Sequence, residues 1–171
     1  MEAPFIDLIN WRNSLHDPSR VSMFLSKWGL ELPEDGRSRV ASALQDLGAL
    51  LAGEVTRVQA GEPLSPDVLA RLDAAISAVT YRSRLSSSPD LSVKIEPERK
   101  DSAWVTAQIA ESFVDFLLHG DPKRLKNCAN PDCGWLFYDD SPALSRVWCD
   151  SRTCGNLMKV RRFRERAKKE R

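Results

Sequence analysis

The sequence predicts a mainly α-helical protein in two parts, a helical domain over residues 1–120 and a small four-cysteine finger over residues 121–171. Apolar residues recur at helical spacing through the first part. All four cysteines lie in the C-terminal quarter, and the chain then ends in a run of basic residues without proline. We expect the finger to contain a cysteine knuckle, a β-hairpin, a second knuckle and a basic C-terminal helix.

The first three helices follow from apolar spacing and from start and stop residues. Phe5–Leu15 carries the first apolar stripe, and Asp17–Ser19 ends that helix and caps the second, which stops at Gly29. We expect residues 31–36 to form a loop. Apolar residues then repeat at nearly helical period over residues 38–61, which predicts one long third helix. Its inward residues are Val40, Leu44, Leu47, Leu51, Val55 and Val58.

Two further helices and a strand complete the first part. The Ser65–Pro66 pair starts a fourth helix. A fifth helix is capped by Asp101 or Ser102 and ends at Gly120. Alternating side chains over Ser92–Glu96 predict a short strand between these two helices.

The helical part carries no motif with catalytic spacing. It lacks a dinucleotide-binding glycine motif, a P-loop and a His-Glu-x-x-His motif, so we predict that the protein is not an enzyme. We expect Trp104 to belong to the core and His16 to have a structural or surface role. The sequence leaves open a small-molecule effector bound between these helices.

Charge is distributed unevenly along the chain and indicates a polyanionic partner. The formal net charge is +1, but residues 1–126 sum to −3 and residues 127–171 sum to +4. The last fifteen residues alone hold eight basic and two acidic side chains. A basic tail on a nearly neutral body is typical of proteins that contact nucleic acid.

The sequence predicts neither a membrane segment nor a secretory signal. No apolar run approaches the roughly 20 residues that a membrane helix needs. The first ten residues are acidic, without a basic start or a cleavage site. We therefore expect a cytoplasmic protein with no membrane partner.

The four cysteines form two close pairs with the spacing C-x4-C-x15-C-x4-C. This spacing suits one tetrahedral ion held by four thiolates, and zinc prefers such a soft, closed site. Disulfides, a redox dithiol, unrelated buried thiols and an iron–sulfur cluster are the alternatives, of which a reducing compartment disfavours the first. Gly134 and Gly155 follow the second cysteine of each pair, where a positive φ would aim backbone N–H groups at the sulfurs. The predicted ligands are Cys128, Cys133, Cys149 and Cys154.

The residues between the cysteine pairs predict a β-hairpin. Gly134–Tyr138 is an aromatic, strand-like run, Asp139–Pro142 is a turn signal, and Arg146–Cys149 returns as a second short strand. A unit of this size cannot fold on a hydrophobic core alone, so metal binding must supply much of its stability. The small core is expected to hold Trp135, Phe137 and Trp148.

The last segment, residues 155–171, predicts a helix that binds nucleic acid. A narrow apolar stripe is expected to pack on the hairpin, with Leu157 buried near its start. The stripe holds Val160, Phe163 and Ala167. Basic side chains on both flanks suit phosphate groups, because arginine forks fit phosphate oxygens; a solvated or protein-docking helix is the alternative. The predicted contacts are Lys159, Arg161, Arg162, Arg164, Arg166, Lys168 and Lys169.

The C-terminal segment resembles the CGNR zinc finger. It shares the cysteine spacing, a Trp-Leu-Phe run after the second cysteine and a tryptophan before the third. It also has Cys154–Asn156 of the hallmark motif, where Leu157 replaces the usual arginine. Near the start, Asp7–Asn10 and Trp28–Leu30 resemble the opening of the ABATE domain, a helical region found in proteins regarded as stress-induced transcription regulators. The resemblance implies a zinc-binding regulator that contacts DNA or RNA.

We therefore expect a zinc-dependent nucleic-acid-binding protein, with DNA favoured over RNA as the partner. Exposed aromatic side chains on the hairpin would favour RNA or single strands, whereas buried aromatics beside a bare basic helix would favour duplex. A protein-interaction module that senses thiol oxidation through zinc release is the alternative from another class. A palindromic target would imply a homodimer, which the sequence leaves open.

Overall fold

The computed structural model describes residues 2–32, 34–87 and 89–169, and the side chains of residues 34–38 and of Lys169 lie outside that description. The chain divides into two compact units, of which one is Ala3–Gly120 and the other consists of residues 121–169 together with Glu2. The first unit is helical with one hairpin, and the second contains the cysteines. The mainly α-helical fold class predicted from the sequence is confirmed.

The helical unit is built from α-helices that begin at recognisable start signals. They are α1 (Pro4–Trp11), α2 (Pro18–Lys27), α3 (Glu34–Gln59), α4 (Pro66–Ser77) and α5 (Ser102–His119). Helices α1, α2 and α4 begin with proline, whose missing N–H is no loss in the first turn. Helix α5 is capped by Asp101, whose carboxylate accepts the N–H groups of Ala103 (3.1 Å) and Trp104 (3.2 Å). Within the described ranges, no helix has the length and apolar character needed to cross a membrane.

The core of this unit lies where α1, α3 and α5 meet. Phe5 of α1 packs against Phe113 and Phe116 of α5, and both ring centroids lie 5.2 Å from its own. Trp104 is buried, as predicted. The predicted inward face of α3 is buried along its whole length, from Val40 to Val58. These helices therefore have a hydrophobic core of their own.

Two helix boundaries differ from the sequence prediction. The first helix ends at Trp11 and continues as a 3₁₀ turn, Arg12–Ser14. The Ser14 hydroxyl donates to the Trp11 carbonyl at 2.8 Å, and such local bonds compete with the helical pattern. The third helix begins at Glu34, inside the predicted loop. The sequence Glu34-Asp35 favours this earlier start, because acidic residues suit a helix N-terminus.

An antiparallel hairpin joins α4 to α5. Strand β1 (Tyr81–Ser86) pairs with β2 (Ser92–Pro97), so that Leu85 lies opposite Val93. The sequence predicted β2 but missed β1, whose Tyr-Arg-Ser-Arg-Leu-Ser sequence has few apolar residues. At the base of the hairpin, the Tyr81 hydroxyl accepts a hydrogen bond from the Gln108 amide at 3.3 Å.

The second unit contains a smaller hairpin and the C-terminal helix. Strand β3 (Leu125–Asn127) pairs with β4 (Leu136–Tyr138) in antiparallel register. A π-helical turn, Ser151–Gly155, leads directly into α6 (Asn156–Lys169). The basic C-terminal helix predicted from the sequence is therefore confirmed.

The small hairpin spans the first cysteine pair rather than the gap between the two pairs. The predicted pairing of Gly134–Tyr138 with Arg146–Cys149 is wrong, because β4 pairs with β3. The first knuckle joins these strands directly, and the Cys128 N–H donates to the Trp135 carbonyl at 2.8 Å as the next rung. Residues 145–150 are irregular instead.

The small core also differs from the prediction. Leu136 and Phe137 are buried, whereas Trp135 is 46% exposed and Trp148 is half-buried. The Arg146 guanidinium covers the Phe137 ring, 5.0 Å from its centroid. A unit of this size has too little surrounding chain to cover three aromatic rings, so Trp135 stays at the surface.

Candidate metal centre and basic helix

The four cysteine sulfurs converge on one point. Their Sγ atoms all lie within 4.8 Å of one another, and Cys149 Sγ lies 3.7 Å from both Cys133 Sγ and Cys154 Sγ. A tetrahedral ion with metal–sulfur bonds of about 2.3 Å separates its ligand sulfurs by roughly 3.8 Å. Disulfide sulfurs lie about 2 Å apart, so these are free thiols. The spacing is that of a four-thiolate metal centre.

The first knuckle positions Cys128 and Cys133 through its backbone. The Cys133 N–H donates to the Asn130 carbonyl at 3.0 Å, and the Asp132 N–H donates to the Asn130 side-chain oxygen at 3.2 Å. Gly134 has the predicted positive φ, 66°, a conformation that residues with side chains rarely adopt. The chain can therefore turn sharply and present both sulfurs on one side.

Hydrogen bonds reach the sulfurs of Cys128, Cys133 and Cys154, and the one to Cys133 comes from the backbone N–H of Trp135. The Cys149 N–H donates to Cys128 Sγ at 3.4 Å, and the Asn130 side-chain amide donates to Cys154 Sγ at 3.5 Å. Asn130 is 5% exposed. Such bonds offset the negative charge of thiolate ligands. Sequence reasoning missed Asn130, although an amide residue between the first two ligands was a usable signal.

The clustered thiols resist ionisation unless a cation lies beside them. Burial raises the pKa of Cys133 and of Cys149, and the neighbouring thiols raise the pKa of Cys149 further. The hydrogen bond from Asn130 lowers the pKa of Cys154. Four thiolates at these distances repel one another unless a metal ion compensates their charge. Four soft donors in a closed tetrahedron fit zinc.

Gly155, after the fourth cysteine, serves a different purpose from the predicted one. Among the described glycines, positive φ occurs at Gly29, Gly61 and Gly134, so the expectation for Gly155 is wrong. It is buried in the π-helical turn, where an added Cβ would lie 3.2 Å from Cδ1 of Trp148. Glycine is suited to this position because the tryptophan ring approaches its backbone closely.

A buried acidic side chain, Asp139, organises the loop between the cysteine pairs. Its carboxylate accepts hydrogen bonds from the Lys126 ammonium at 2.6 Å and from the backbone N–H groups of Ser141 and Arg146, each at 3.0 Å. Burial alone would raise the pKa of Asp139, but these hydrogen bonds outweigh it and hold the pKa well below its usual range. The sequence indicated only a turn here, because Lys126 is too distant in the chain to give a local signal.

Arg146 connects this loop to Cys149, the third cysteine of the candidate metal centre. Its Nε donates to the Trp148 carbonyl at 3.0 Å, and its Nη2 donates to the Cys149 carbonyl. The backbone of Arg146 is itself held by the Asp139 carboxylate. The position of Cys149 therefore depends on Asp139 through Arg146.

The basic helix begins at the metal centre. Asp150, next to Cys149, accepts the backbone N–H groups of Arg152 (2.6 Å) and Thr153 (3.0 Å) and so caps the π-helical turn. Helix α6 starts two residues after Cys154. An ion that fixes Cys149 and Cys154 therefore also fixes the first turn of α6.

Two of the seven predicted nucleic-acid contacts have partners inside the finger. Arg161 Nη1 donates to Asp132 Oδ2 at 3.1 Å, and Arg161 Nε lies 3.7 Å from Glu165 Oε1. The guanidinium carbon of Arg162 lies 5.7 Å from the centroid of the Trp148 ring. Both arginines therefore help to hold α6 against the finger.

The other predicted cations of α6 are exposed on two flanks of the helix. Their side chains make no ion pair with any residue that the structure describes. These free cations are Lys159, Arg164, Arg166 and Lys168, whereas the side chain of Lys169 lies outside the described part. At 100° per residue, Arg164 and Lys168 fall on one side of Val160, and Lys159 and Arg166 fall on the other.

The apolar stripe of α6 is exposed, so its predicted packing on the hairpin is wrong. Leu157 is 53%, Val160 42% and Phe163 73% exposed. Arg162, which meets Trp148, lies roughly 160° around the helix from Val160. The side of α6 that faces the rest of the finger is therefore occupied by Arg162 over Trp148, and the apolar stripe points outward.

An open groove follows this outward face. Its volume is about 720 Å³, and Leu157, Val160, Arg164 and Lys168 belong to its lining. The lining also includes the acidic residues Asp132 and Glu165, so apolar, basic and acidic side chains share this accessible surface.

The helical unit has a recess near the base of its hairpin. The recess measures about 170 Å³ and is lined in part by Thr80, Glu98 and Arg99. Ordinary ligand sites measure about 300–1,000 Å³, so this recess does not support an effector site. The effector that the sequence left open stays a prediction.

Comparison with protein families gives two matches that together cover almost the whole chain. The model of the CGNR zinc finger matches residues 124–167. The ABATE model, described as "Putative stress-induced transcription regulator", matches residues 2–120. Neither description is that of an enzyme. No curated protein matches the chain.

Proposed function

This chain belongs to the ABATE family, and on that premise we propose that it is a zinc-dependent transcription regulator that binds duplex DNA through α6. The observation that carries the proposal is the outward face of α6, where free cations flank a row of exposed apolar side chains. A single α-helix fits the major groove of DNA. In that position the flanks would meet phosphates and the apolar row would meet base edges.

Zinc is the ion we propose for the four-cysteine centre. A closed set of four thiolates leaves no open position for a substrate, which is typical of structural zinc. The ion replaces the hydrophobic core that a unit of this size lacks. Its role is structural, and we propose no enzymatic activity.

The free cations supply affinity for the duplex. Lys159 and Arg166 lie on one flank of α6, and Arg164 and Lys168 lie on the other, so the two pairs would reach the two phosphate backbones that border one groove. Four such contacts predict a slope of about −3.6 when log K is plotted against log salt concentration. The slope of the salt dependence therefore measures the number of phosphate contacts.

Titration of a labelled duplex at several salt concentrations tests this function. Replacing Arg164 and Lys168 together with alanine is expected to make the slope shallower by about 2. The matched control removes two exposed arginines of the helical unit, Arg82 and Arg84, and is expected to leave the slope unchanged. A salt-independent affinity, or equal changes in the two double variants, would contradict the proposal.

The apolar row gives the helix a way to distinguish sequences. Apolar side chains in the major groove contact the C5-methyl group of thymine. Selection from a random duplex pool is therefore expected to yield thymine-containing sites. Replacing those thymines with deoxyuridine removes only the methyl groups and is expected to weaken binding. Unchanged affinity would show that the row does not read thymine.

Single-stranded RNA is the second candidate partner, and one observation favours it. Trp135 is 46% exposed on the small hairpin, and exposed aromatic rings stack on unpaired bases. Competition between duplex DNA and single-stranded RNA separates the two partners. Preferential RNA binding that is lost in Trp135→Ala would favour this second candidate.

We further propose a cytoplasmic location. Free thiols persist in reducing compartments, and the four cysteines are free in this structure. Localisation of a fluorescent fusion tests this assignment, and an exported fusion would contradict it.

A further inference from the structure

The β1–β2 hairpin of the helical unit carries an exposed apolar face. Leu85 lies opposite Val93, and Ser83 lies opposite Ile95. Residues directly opposite each other share one face of an antiparallel pair. Leu85 is 74%, Val93 62% and Ile95 71% exposed. Apolar strand residues of this kind ordinarily pack against a core.

The opposite face of the hairpin is basic. Arg82, Arg84 and Lys94 share it with Glu96, and Arg84 Nε lies 3.9 Å from Glu96 Oε2. Every residue of the apolar face is uncharged, and its members are Tyr81, Ser83, Leu85, Val93, Ile95 and Pro97. The two faces therefore favour different partners.

Among the described residues, the hairpin is bonded to α5 at its base, through Tyr81 and Gln108, while most of its strand residues are exposed. Residues 81–85 and 92–95 are all exposed. A two-stranded hairpin is marginally stable in water unless a further strand, a helix or another apolar surface packs on it. A surface that covers the apolar face would provide that support.

We propose that the apolar face is the interface of a homodimer, in which it packs against the same face of a second copy. A two-fold axis brings identical patches together, so a self-contact requires a patch without like charges. The apolar face meets this requirement, whereas Arg82, Arg84 and Lys94 would repel their own copies across the other face. Because the hairpin belongs to the helical unit, this dimer requires neither zinc nor nucleic acid.

The available area fits a small, reversible dimer. Leu85, Val93 and Ile95 of the apolar face and the adjoining Leu91 are each 62–78% exposed, and a fully exposed aliphatic side chain offers roughly 100 Å² of apolar surface. With Tyr81 and the strand backbone, each copy would bury roughly 400–500 Å². A total of about 900 Å² lies below the roughly 1,200 Å² of stable interfaces, in the range of weak, transient ones. The dimer is therefore expected to dissociate on dilution.

Sedimentation equilibrium of the full, zinc-loaded chain without nucleic acid tests this interface. The mass is expected to rise from one copy at low micromolar concentration to two copies at high micromolar concentration. Val93→Lys places a charge in the apolar face and is expected to weaken dimerisation at least tenfold. Ser92→Lys adds the same charge to the neighbouring residue on the basic face, and this matched control is expected to dimerise like the parent chain.

Three results would overturn the proposal. They are a parent chain that stays monomeric at the highest concentration, a Val93→Lys variant that dimerises as strongly as Ser92→Lys, and assemblies larger than two copies. A monomeric parent that binds phospholipid vesicles would assign the face to a membrane surface instead. Circular dichroism checks that each variant is folded, and Ile95→Lys, on the same face, replaces Val93→Lys if that variant does not fold.

Discussion

The guanidinium carbon of Arg162 lies 5.7 Å from the centroid of the Trp148 ring, and this contact orients the basic helix. Trp148 immediately precedes Cys149 of the candidate metal centre, and Arg162 lies about two turns into α6. The contact therefore connects the helix to the metal centre and turns the apolar row outward. It distinguishes Arg162 from Arg164 and Arg166, which make no ion pair with a residue that the structure describes.

Arg162→Ala is expected to destabilise the finger by about 0.5–1 kcal/mol, the strength of a cation–π contact at an exposed site. Arg166→Ala, the matched control on a free flank, is expected to weaken duplex binding without changing stability. Thermal melting of the zinc-loaded protein and duplex titration measure the two effects. A destabilised Arg166→Ala beside an unaffected Arg162→Ala would reverse the assigned roles.

One zinc ion per chain is expected from elemental analysis of the purified protein, because four thiolates complete one tetrahedral site. Cys149→Ser is expected to unfold residues 127–171, since the metal replaces their core, while the helices of the first unit persist. Far-UV circular dichroism and amide exchange measure the loss. Folded, metal-free protein with four free or disulfide-bonded cysteines would rule out this structural role.

Asn130→Ala is expected to lower zinc affinity about 10–100-fold, the usual cost of removing a residue that hydrogen-bonds to a metal ligand. The variant loses the bond from the Asn130 amide to Cys154 Sγ. Competition with a chromogenic chelator measures the affinity. Asn127→Ala, an exposed asparagine on β3, is the control and is expected to bind zinc like the parent chain. Equal zinc affinities in the two variants would show that Asn130 does not stabilise the metal centre.

Asp139→Asn is expected to lower the melting temperature of the finger, because it leaves the Lys126 ammonium without its buried carboxylate partner. The pKa of Asp139 is held below its usual range. The contribution of the ionised Asp139 carboxylate to stability is therefore fully present at neutral pH and is lost only as pH falls below about 4. Melting at neutral pH thus reports the whole effect. Asp140→Asn is the control, because the exposed Asp140 carboxylate lies 3.5 Å from Arg146 Nη1 and the loss of an exposed ion pair is expected to cost less. An equal loss in the two variants would count against the role of Asp139.

Leu157→Arg is expected to tighten duplex binding without loss of stability. Leu157 occupies the position of the usual CGNR arginine, and its 53% exposure shows that an arginine would not be buried. A new phosphate contact would steepen the salt slope by about 1. Paired melting and duplex titrations measure both quantities. A destabilised variant with unchanged affinity would mean that the leucine side chain packs in the finger.

The predicted metal centre and the buried face of α3 both came from patterns that lie along the chain. The four cysteines are paired at intervals that suit a tetrahedral ion, whichever strands lie between them. The α3 residues from Val40 to Val58 repeat with the period of the helix itself. Gly134 needs its positive φ for a local turn. Each of these features depends on neighbours within a few residues or on the chemistry of one residue type.

Tertiary structure decided which strand pairs with β4, which aromatic side chain is covered and which side of α6 faces outward. Those choices rest on contacts between residues far apart in the chain. Lys126 meets Asp139 thirteen residues later, and Asn130 meets Cys154 twenty-four residues later. Arg162 meets Trp148 across the start of α6 and takes the side that spacing alone assigned to the apolar stripe. No local period encodes such pairs, because their energies arise only when the folded chain brings the partners together.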